Sequence, residues 1–260
     1  MTDFETGFKV LVELGRKLNS DHKIISNYAK LFDDYPLPAI INSGCIKLSD
    51  LFLTCCVSQK HSIYKVFEQS KSHLSKIINL DYVVSNVSAV FLSNDPIART
   101  IALKMYEALV QVTNDFTEIH FNIKKAFDTA TDRLERQAAC SAARAYSSTS
   151  KEFAIYFSQI LSKKLKESDS INSVSECIAL VASDSYNSNL VEEAFNSLIK
   201  FHSLPLDFQL TMLYRISRKD STLSDRFLTV LAEAEFGYQV EFLSRMHFVD
   251  IDRFPKFKVK

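Results

Sequence analysis

The side chains best suited to chemistry in this sequence belong to six histidines and five cysteines. A zinc site or a redox pair usually needs ligands or thiols about two to five residues apart, as in C-x-x-C. No two histidines lie that close, and no histidine accompanies a cysteine or carboxylate cluster at ligand spacing. We therefore predict no metal site, no cofactor and reduced cysteines buried in the core. The residues concerned are His22, His61, His73, His120, His202, His247, Cys45, Cys55, Cys56, Cys140 and Cys177.

The composition excludes several classes of function. Only 4 Gly and 5 Pro occur in 260 residues, and no glycine-rich phosphate loop, nucleophile turn or catalytic dyad can be placed. Lys plus Arg and Asp plus Glu are 31 each, so no large net charge attracts nucleic acid or an anionic membrane. The N-terminus lacks a signal-peptide pattern, and no apolar run approaches the roughly 18 residues of a membrane span. We expect a soluble intracellular protein that is not an enzyme.

A polar pattern that repeats is more informative than the candidate ligands. An Asp-x-aliphatic-x-Arg pattern at Asp95 and Arg99 recurs 37 positions later at Asp132 and Arg136. Asp95 is suited to cap a helix, and Pro96 to occupy the first helical position, where its missing amide proton costs nothing. A period near 37 in a helical chain predicts stacked helical hairpins, which usually function as extended surfaces that hold partners.

Helices must position these residues, because apolar side chains recur with the 3.6-residue period of amphipathic helices. This period gives about twelve helices joined by short polar breaks. Further helix starts are predicted at Thr149 and Asn189, each followed three residues later by glutamate as in a capping box. Another helix is predicted over residues 63–77. No linker is long enough to divide the chain, so we predict one helical domain over residues 1–249.

The last eleven residues, 250–260, differ from the rest because lysine alternates with apolar residues without a helical period. We predict that this basic tail is a partner-binding segment, for RNA phosphate or for an acidic protein surface. It is a better candidate for nucleic-acid contact than the lysine cluster Lys163, Lys164 and Lys166, which we expect to be a solvated helix end. Its candidate binding residues are Arg253, Phe254, Lys256, Phe257, Lys258 and Lys260.

The Asp95, Pro96 and Arg99 arrangement resembles the HEAT-repeat signature, in which a turn aspartate and an arginine of the second helix contact neighbouring repeats. The second copy keeps Asp132 and Arg136 but has Arg133 in place of proline. The fold class that this implies is all-α, an α-solenoid of stacked HEAT/armadillo-like hairpins. We expect Asp95 and Arg99 to serve as a cap and a repeat-to-repeat hydrogen bond rather than as a binding site.

A more specific resemblance covers residues 23–110 and continues more loosely to residue 154. Four segments, 35–44, 47–52, 69–77 and 93–103, read YPLPAIINSG, KLSDLF, QSKSHLSKI and SNDPIARTIAL. In this order and at these spacings they resemble the N-terminal region of the Integrator complex subunit 7 family. Members of that family are much longer than 260 residues.

The resemblance implies a non-catalytic helical-repeat subunit that packs against other Integrator subunits. It implies a role in small nuclear RNA 3′-end processing and transcription termination, with indirect contact to RNA polymerase II. The implied location is the nucleus, with the cytoplasm as a second compartment. The alternative is a generic HEAT or armadillo adaptor that binds a peptide or protein in transport or trafficking. Exposed ladders of Asn, Arg or acidic side chains would favour the adaptor, and broad apolar patches the subunit.

Overall fold

The computed structural model of the protein describes residues 3–18, 22–167, 188–200, 206–218 and 221–233. Every regular element in these ranges is a helix, and no strand occurs in them. The predicted all-α class is therefore confirmed. The chain forms two compact units, Met1–Phe157 and Ser158–Lys260. The single domain over residues 1–249 stays a prediction, and the basic tail lies outside the described residues.

The first unit is built from consecutive helical hairpins. Its helices are α1 (Asp3–Lys17), α2 (Asn27–Asp34), α3 (Pro38–Thr54), α4 (Val57–Gln69), α5 (Leu80–Ala89), α6 (Pro96–Thr113), α7 (Thr117–Thr129) and α8 (Arg133–Thr149). Short 3₁₀ helices precede α2, α5 and α6, at His22–Ser26, Lys71–Lys76 and Val90–Leu92. A further helix, α9 (Lys151–Glu167), crosses the boundary between the units.

Two layers of helices form within the first unit. The odd-numbered helices α1, α3, α5 and α7 pack in sequence against one another, and the even-numbered helices α2, α4, α6 and α8 do the same. Within each hairpin the two helices also touch, so every hairpin buries its apolar sides against its neighbours. The predicted stacking of helical hairpins is thus confirmed in the described part of this unit.

The core lies between these layers and is centred on α6. This helix packs against both α4 and α8, and its residues are buried on nearly every side. Close approach elsewhere depends on a small residue, because a Cβ atom added to Gly44 would lie 2.5 Å from Cε1 of Phe32. Gly44 therefore lets α3 contact an aromatic ring of α2 that a larger side chain would displace.

Several helix boundaries follow the sequence signals. Asp95 has extended backbone angles and Pro96 is the first residue of α6. α10 (Ser188–Lys200) begins close to its predicted start, but Asn189 is its second residue and not its N-cap. The predicted helix over residues 63–77 is interrupted at Ser70 and continues as a 3₁₀ turn. Three serines occur in residues 70–75, and serine weakens helix propensity because its hydroxyl competes for backbone hydrogen bonds, while Leu74 still reaches the core.

The predicted cap at Thr149 is also wrong. Thr149 is the last residue of α8, and its hydroxyl donates back to the carbonyl of Ala145 at 3.2 Å. The cap of α9 is instead Ser150, whose Oγ accepts the amide of Phe153 at 3.2 Å. Thr149 and Ser150 both carry a hydroxyl group that can cap a helix, so the sequence was compatible with a helix that begins after either residue.

The second unit is described through α10, α11 (Leu206–Ser217) and α12 (Ser221–Glu233). α11 packs against both α10 and α12. The Nε2 atom of Gln209 donates to the carbonyl of Leu198 at 2.5 Å, and Arg226 donates to Asn196 at 2.6 Å. These bonds tie α10 to the two helices that follow it. No helix in the described ranges has the length and apolar character needed to cross a membrane.

A buried polar network joins α5, α6 and α7 and yields a test of the fold. The hydroxyl of Tyr106, which is fully buried, contacts Ser88 Oγ at 2.8 Å and accepts from Asn122 Nδ2 at 3.0 Å. Tyr106→Phe would leave two buried polar groups without this partner, which costs about 1–2 kcal/mol. We expect a lower midpoint in thermal denaturation.

The matched control for this network is Tyr82→Phe. The Tyr82 hydroxyl also donates a hydrogen bond, to Asp50 Oδ1 at 2.8 Å, but its side chain is about half exposed. Water can replace the lost bond there, so the control should change stability by less than about 0.5 kcal/mol. Equal losses in the two variants would show that the buried network is not what stabilises these helices.

Candidate functional site

The repeated Asp and Arg positions lie in the turns inside successive hairpins. Oδ1 of Asp95 accepts the amide of Ile97 at 2.9 Å. Oδ1 of Asp132 accepts the amides of Leu134 and Glu135 at 2.8 and 3.0 Å. Each aspartate therefore caps the second helix of its hairpin, and satisfies amides that have no partner within the helix.

The basic residue four positions after each cap closes its own turn. The Nη1 atom of Arg99 donates to the carbonyl of Ser93 at 2.7 Å, and that of Arg136 donates to Thr131 at 3.3 Å. The carbonyls of Ser93 and Thr131 lie in turns and have no hydrogen-bond partner within a helix, so the positively charged guanidinium groups stabilise them. In both copies an acidic residue caps the helix, and a basic residue four positions later binds a carbonyl of the turn. We call this basic residue the clamp.

The structure reveals a third copy, in the turn between α3 and α4, that the sequence pattern missed. Cys56 caps α4 together with Gln59, whose Oε1 accepts the Cys56 amide at 3.2 Å. Four residues later, Lys60 is buried and its Nζ donates to the carbonyls of Phe52 and Leu53, the latter at 3.3 Å. A thiol in place of a carboxylate concealed this copy from a search for aspartate.

Arg99 also joins one hairpin to the next. Its Nε and Nη2 atoms donate to Oε1 and Oε2 of Glu135 at 2.6 and 2.8 Å, which is a bidentate pair. The Glu135 side chain is 3% exposed and that of Arg99 is 23% exposed. The hydrogen bond to Glu135 raises the pKa of Arg99, against the opposing effect of burial. This pair fixes α8 against α6 and involves a residue that the sequence had not singled out.

Other polar contacts repeat at the same interval along the chain. Asn42 Oδ1 accepts the amides of Ile78 and Asn79 at 2.9 and 2.8 Å. Related bonds between residues 32 to 40 positions apart join successive helices in both layers. They connect Asn86 to Ser49 and Asp50, Ser141 to Glu107, and Tyr146 to Thr113 and Tyr106. Such bonds set the register between repeats, because each satisfies a group on one hairpin with a group on the next.

The cysteines and histidines are dispersed through the structure. Cys45 is buried as predicted, and burial raises the pKa of its thiol. The prediction is wrong for Cys56, which is exposed because it serves as a cap; its hydrogen bond with Ser58 lowers the pKa of the thiol. In the part of the chain that the structure describes, no three His, Cys, Asp or Glu side chains are grouped as metal ligands. Cys177, His202 and His247 lie outside it.

His120 is half-buried and packs against two aromatic rings. Its Nε2 donates to the carbonyl of Asn114 at 2.7 Å, and its ring lies 4.7 Å from that of Phe153 and 5.8 Å from that of Tyr146. Burial lowers the pKa of His120, while the Asn114 bond and the charges of Asp115 and Glu152 raise it by less. The neutral imidazole is therefore favoured in the folded state.

The pH dependence of stability should report this effect. Because the pKa of His120 is lower when folded, the unfolded state binds more protons below the ordinary value of 6.5. We expect the free energy of unfolding to fall as the pH decreases through about 6.5. Chemical denaturation from pH 7.5 to 5.0 should show a smaller decrease for His120→Gln. The exposed control His61→Gln should retain the wild-type profile, and identical slopes for all three proteins would contradict the assignment.

An apolar edge accompanies the three capped turns. Leu53, Leu92, Ile97 and Leu134 lie in these turns or in the helix ends that flank them, and they are 43%, 85%, 49% and 56% exposed. We call this set the turn edge. A pocket of about 290 Å³ lies between the first two turns, lined in part by Leu53, Val57 and Ala98. A group of exposed apolar residues is a feature of protein-binding surfaces, and these side chains carry no evident catalytic chemistry.

Comparison with known proteins identifies similar sequences. A family model described as Integrator complex subunit 7, N-terminal, matches residues 11–201. Proteins named Integrator complex subunit 7 from Mus musculus and Drosophila melanogaster are 37% and 35% identical over 139 and 151 residues. A homologue of that name from Dictyostelium discoideum is 31% identical over 134 residues.

The matched segments make up 54%, 56% and 50% of this chain but only 14%, 15% and 13% of those three proteins. The chain therefore corresponds to a small part of the length of its relatives. An engineered protein of known crystal structure superposes with a TM-score of 0.49 at 14% identity, covering 90% of this chain and 96% of its own. A likeness at that level supports no conclusion about function.

Proposed function

Because the chain belongs to the Integrator complex subunit 7 family, whose N-terminal region its residues 11–201 match, we propose that it is a non-catalytic scaffold subunit of the Integrator complex. The family match is the observation that carries this proposal. The stacked hairpins support it, because helical repeats provide long surfaces that hold several proteins in a fixed relation. The partners are other Integrator subunits, and RNA polymerase II is reached through them. The location is the nucleus.

The proposed mechanism is positional. Clamped turns and the Arg99–Glu135 pair hold neighbouring hairpins in register, so a partner bound to one hairpin keeps its position relative to the next. Such a frame would bring RNA cleavage and the polymerase to one transcript during small nuclear RNA 3′-end processing and transcription termination. The chain itself contributes no reacting group to this scheme.

The turn edge is the surface that best suits permanent subunit packing. Leu92 is 85% exposed and lies in the middle of the three turns, with apolar residues of the neighbouring turns on either side. Stable interfaces bury more than about 1,000 Å² around a few apolar anchors, with polar groups at the rim. The caps Asp95 and Asp132 beside the leucines provide such a rim.

The adaptor alternative requires a different surface. Peptide-binding repeats present a ladder of polar side chains that remain available to the peptide backbone. The asparagines on α3 and α5 are instead engaged with neighbouring repeats, since Asn42 bonds to Ile78 and Asn79, and Asn86 bonds to Ser49 and Asp50. This use of the asparagines favours the scaffold.

The direct test is affinity purification of the tagged chain from nuclear extract, followed by mass spectrometry after a moderate salt wash. We expect several Integrator subunits to be recovered together. Circular dichroism of the same preparation establishes that the chain is folded. Recovery of no Integrator subunit by a folded chain, or recovery of transport factors instead, would contradict the proposal.

A further inference from the structure

The chain has no formal net charge, but its charges are distributed unevenly between the two layers of the first unit. The helices that follow the three capped turns, α4, α6 and α8, carry seven lysines and arginines but only three glutamates. Their hairpin partners α3, α5 and α7 carry three lysines and four acidic residues. One layer is therefore positively charged although the whole chain is neutral.

Most charged side chains of α4, α6 and α8 are engaged within the chain. Each glutamate has a partner, and the pairs are Glu135 with Arg99, Glu68 with Lys65, and Glu107 with Ser141. The clamps Lys60 and Arg136 bind carbonyls of their own turns. Three cations are left, Lys104, Arg133 and Arg144. Their side chains make no hydrogen bond or ion pair in the part of the chain that the structure describes.

These three cations lie near one another on neighbouring helices. Arg133 and Arg144 are both exposed, and they share one side of α8 because eleven residues are close to three helical turns. Lys104 is half-buried on α6, one turn before Glu107. Glu107 accepts from Ser141, which lies one turn before Arg144, so Lys104 lies beside this side of α8. We call Lys104, Arg133 and Arg144 the basic face.

We propose that the basic face binds an acidic segment of a partner protein through at least two Asp or Glu carboxylates. Eleven residues of helix span about 16 Å, so carboxylates that reach both arginines are separated by about five residues of extended chain. A guanidinium group can bind a carboxylate through two parallel hydrogen bonds, and both guanidinium groups are available for this. Lys104 adds a third positive charge beside them.

The surroundings of the basic face favour a protein over RNA. Proteins that bind single-stranded RNA combine cations with aromatic rings on which the bases stack. The phenylalanines and tyrosines that are exposed in the described ranges belong to α1, α5, α7 and α9, and they are Phe4, Phe8, Tyr82, Phe121 and Tyr156. None of these rings belongs to α4, α6 or α8. Carboxylates, which need no stacking partner, are therefore the better match for this surface.

The basic face is distinct from the turn edge, although Arg133 lies next to Leu134. From there it extends along α8, away from the turns, and its cations offer charge rather than apolar area. Charged contacts of this kind mainly increase the association rate and the specificity for an acidic partner. Binding at the basic face does not require the turn edge to be covered. The inference therefore does not rest on the proposed function.

Fluorescence anisotropy of the full chain tests the proposal with a labelled peptide of about ten glutamates, which is roughly 33 Å long when extended. We expect saturable binding that weakens as salt is raised from about 50 to about 200 mM, because salt screens exposed charges. Reversing both arginines, as Arg133→Glu with Arg144→Glu, should raise the dissociation constant at least about tenfold, since both contacts become repulsive. Lys104→Glu alone should raise it less.

The matched control is Lys47→Glu with Lys125→Glu. It reverses two exposed lysines on α3 and α7 and changes the net charge equally, so the dissociation constant should stay within about twofold. Arg133→Gln with Arg144→Gln adds no repulsion and should also weaken binding, with circular dichroism showing that each variant is folded.

Three results would overturn the proposal. The first is a wild-type chain that does not bind the glutamate peptide even at low salt. The second is equal weakening by the arginine reversal and by the lysine reversal, because binding would then follow net charge rather than the basic face. The third is tighter binding of a single-stranded RNA of about ten uridines than of the peptide, which would assign the face to nucleic acid.

Discussion

Replacing Arg99 with alanine is expected to lower the melting temperature by roughly 6–12 °C. The substitution leaves the carboxylate of Glu135, whose side chain is 3% exposed, without its bidentate partner. Removing one member of a buried ion pair typically costs about 3 kcal/mol, and each kcal/mol shifts the midpoint of a domain of this size by about 2–4 °C. Arg99→Ala also removes the hydrogen bond to the Ser93 carbonyl, so both the turn and the contact between repeats are destabilised.

A double variant separates the charge effect from the loss of packing. Replacing both Arg99 and Glu135 with methionine removes the two charges together and keeps side chains of similar length. We expect this variant to regain most of the stability that Arg99→Ala loses, because neither charge is left buried alone. Arg133→Ala, an exposed arginine on α8, is the matched control and should shift the midpoint by less than about 2 °C. An unchanged midpoint for Arg99→Ala would show that the pair does not hold the hairpins.

Much of the fold was predictable because its signals are local. The 3.6-residue apolar period, the cap at Asp95 and the proline at position 96 each act within one helix, and the structure follows them. Thr149 and Ser150 show where this fails, since either hydroxyl can cap the next helix. The choice between them depends on how α8 ends, which is decided by packing rather than by the two residues.

The contacts that join repeats were not predictable from one sequence. Glu135 lies in the first turn of α8, where acidic residues are common, so the sequence does not mark it as a partner of Arg99. Only the placement of α8 beside α6 shows that the two side chains meet. Lys60 occupies the clamp position, but Cys56 four residues earlier concealed the pattern. Contacts between residues about 36 positions apart depend on how neighbouring repeats align in three dimensions. The repeat spacing indicates that such contacts exist, but it does not identify the residues that make them. The basic tail, Arg253 to Lys260, lies outside the described residues and stays a prediction.

Replacing Leu92 with aspartate is expected to reduce recovery of Integrator subunits at least about tenfold in affinity purification. The side chain is 85% exposed, so the folded chain loses little apolar burial and its melting temperature should change by less than about 2 °C. In the proposed interface, however, a carboxylate at this position would be buried in an apolar surface without a partner. Burying an unpaired charge at the centre of an interface costs several kcal/mol, which is more than a tenfold change in affinity.

Ile78→Asp gives this prediction its control. Ile78 is 70% exposed but lies in the connection between α4 and α5, at the ends of the helices opposite the turn edge. The two substitutions have the same chemistry and similar exposure, so they differ mainly in location. Full recovery with Ile78→Asp and loss with Leu92→Asp would assign subunit packing to the turn edge. Equal recovery with both variants would contradict that assignment, because an interface centred on Leu92 cannot accept a buried carboxylate without weakening.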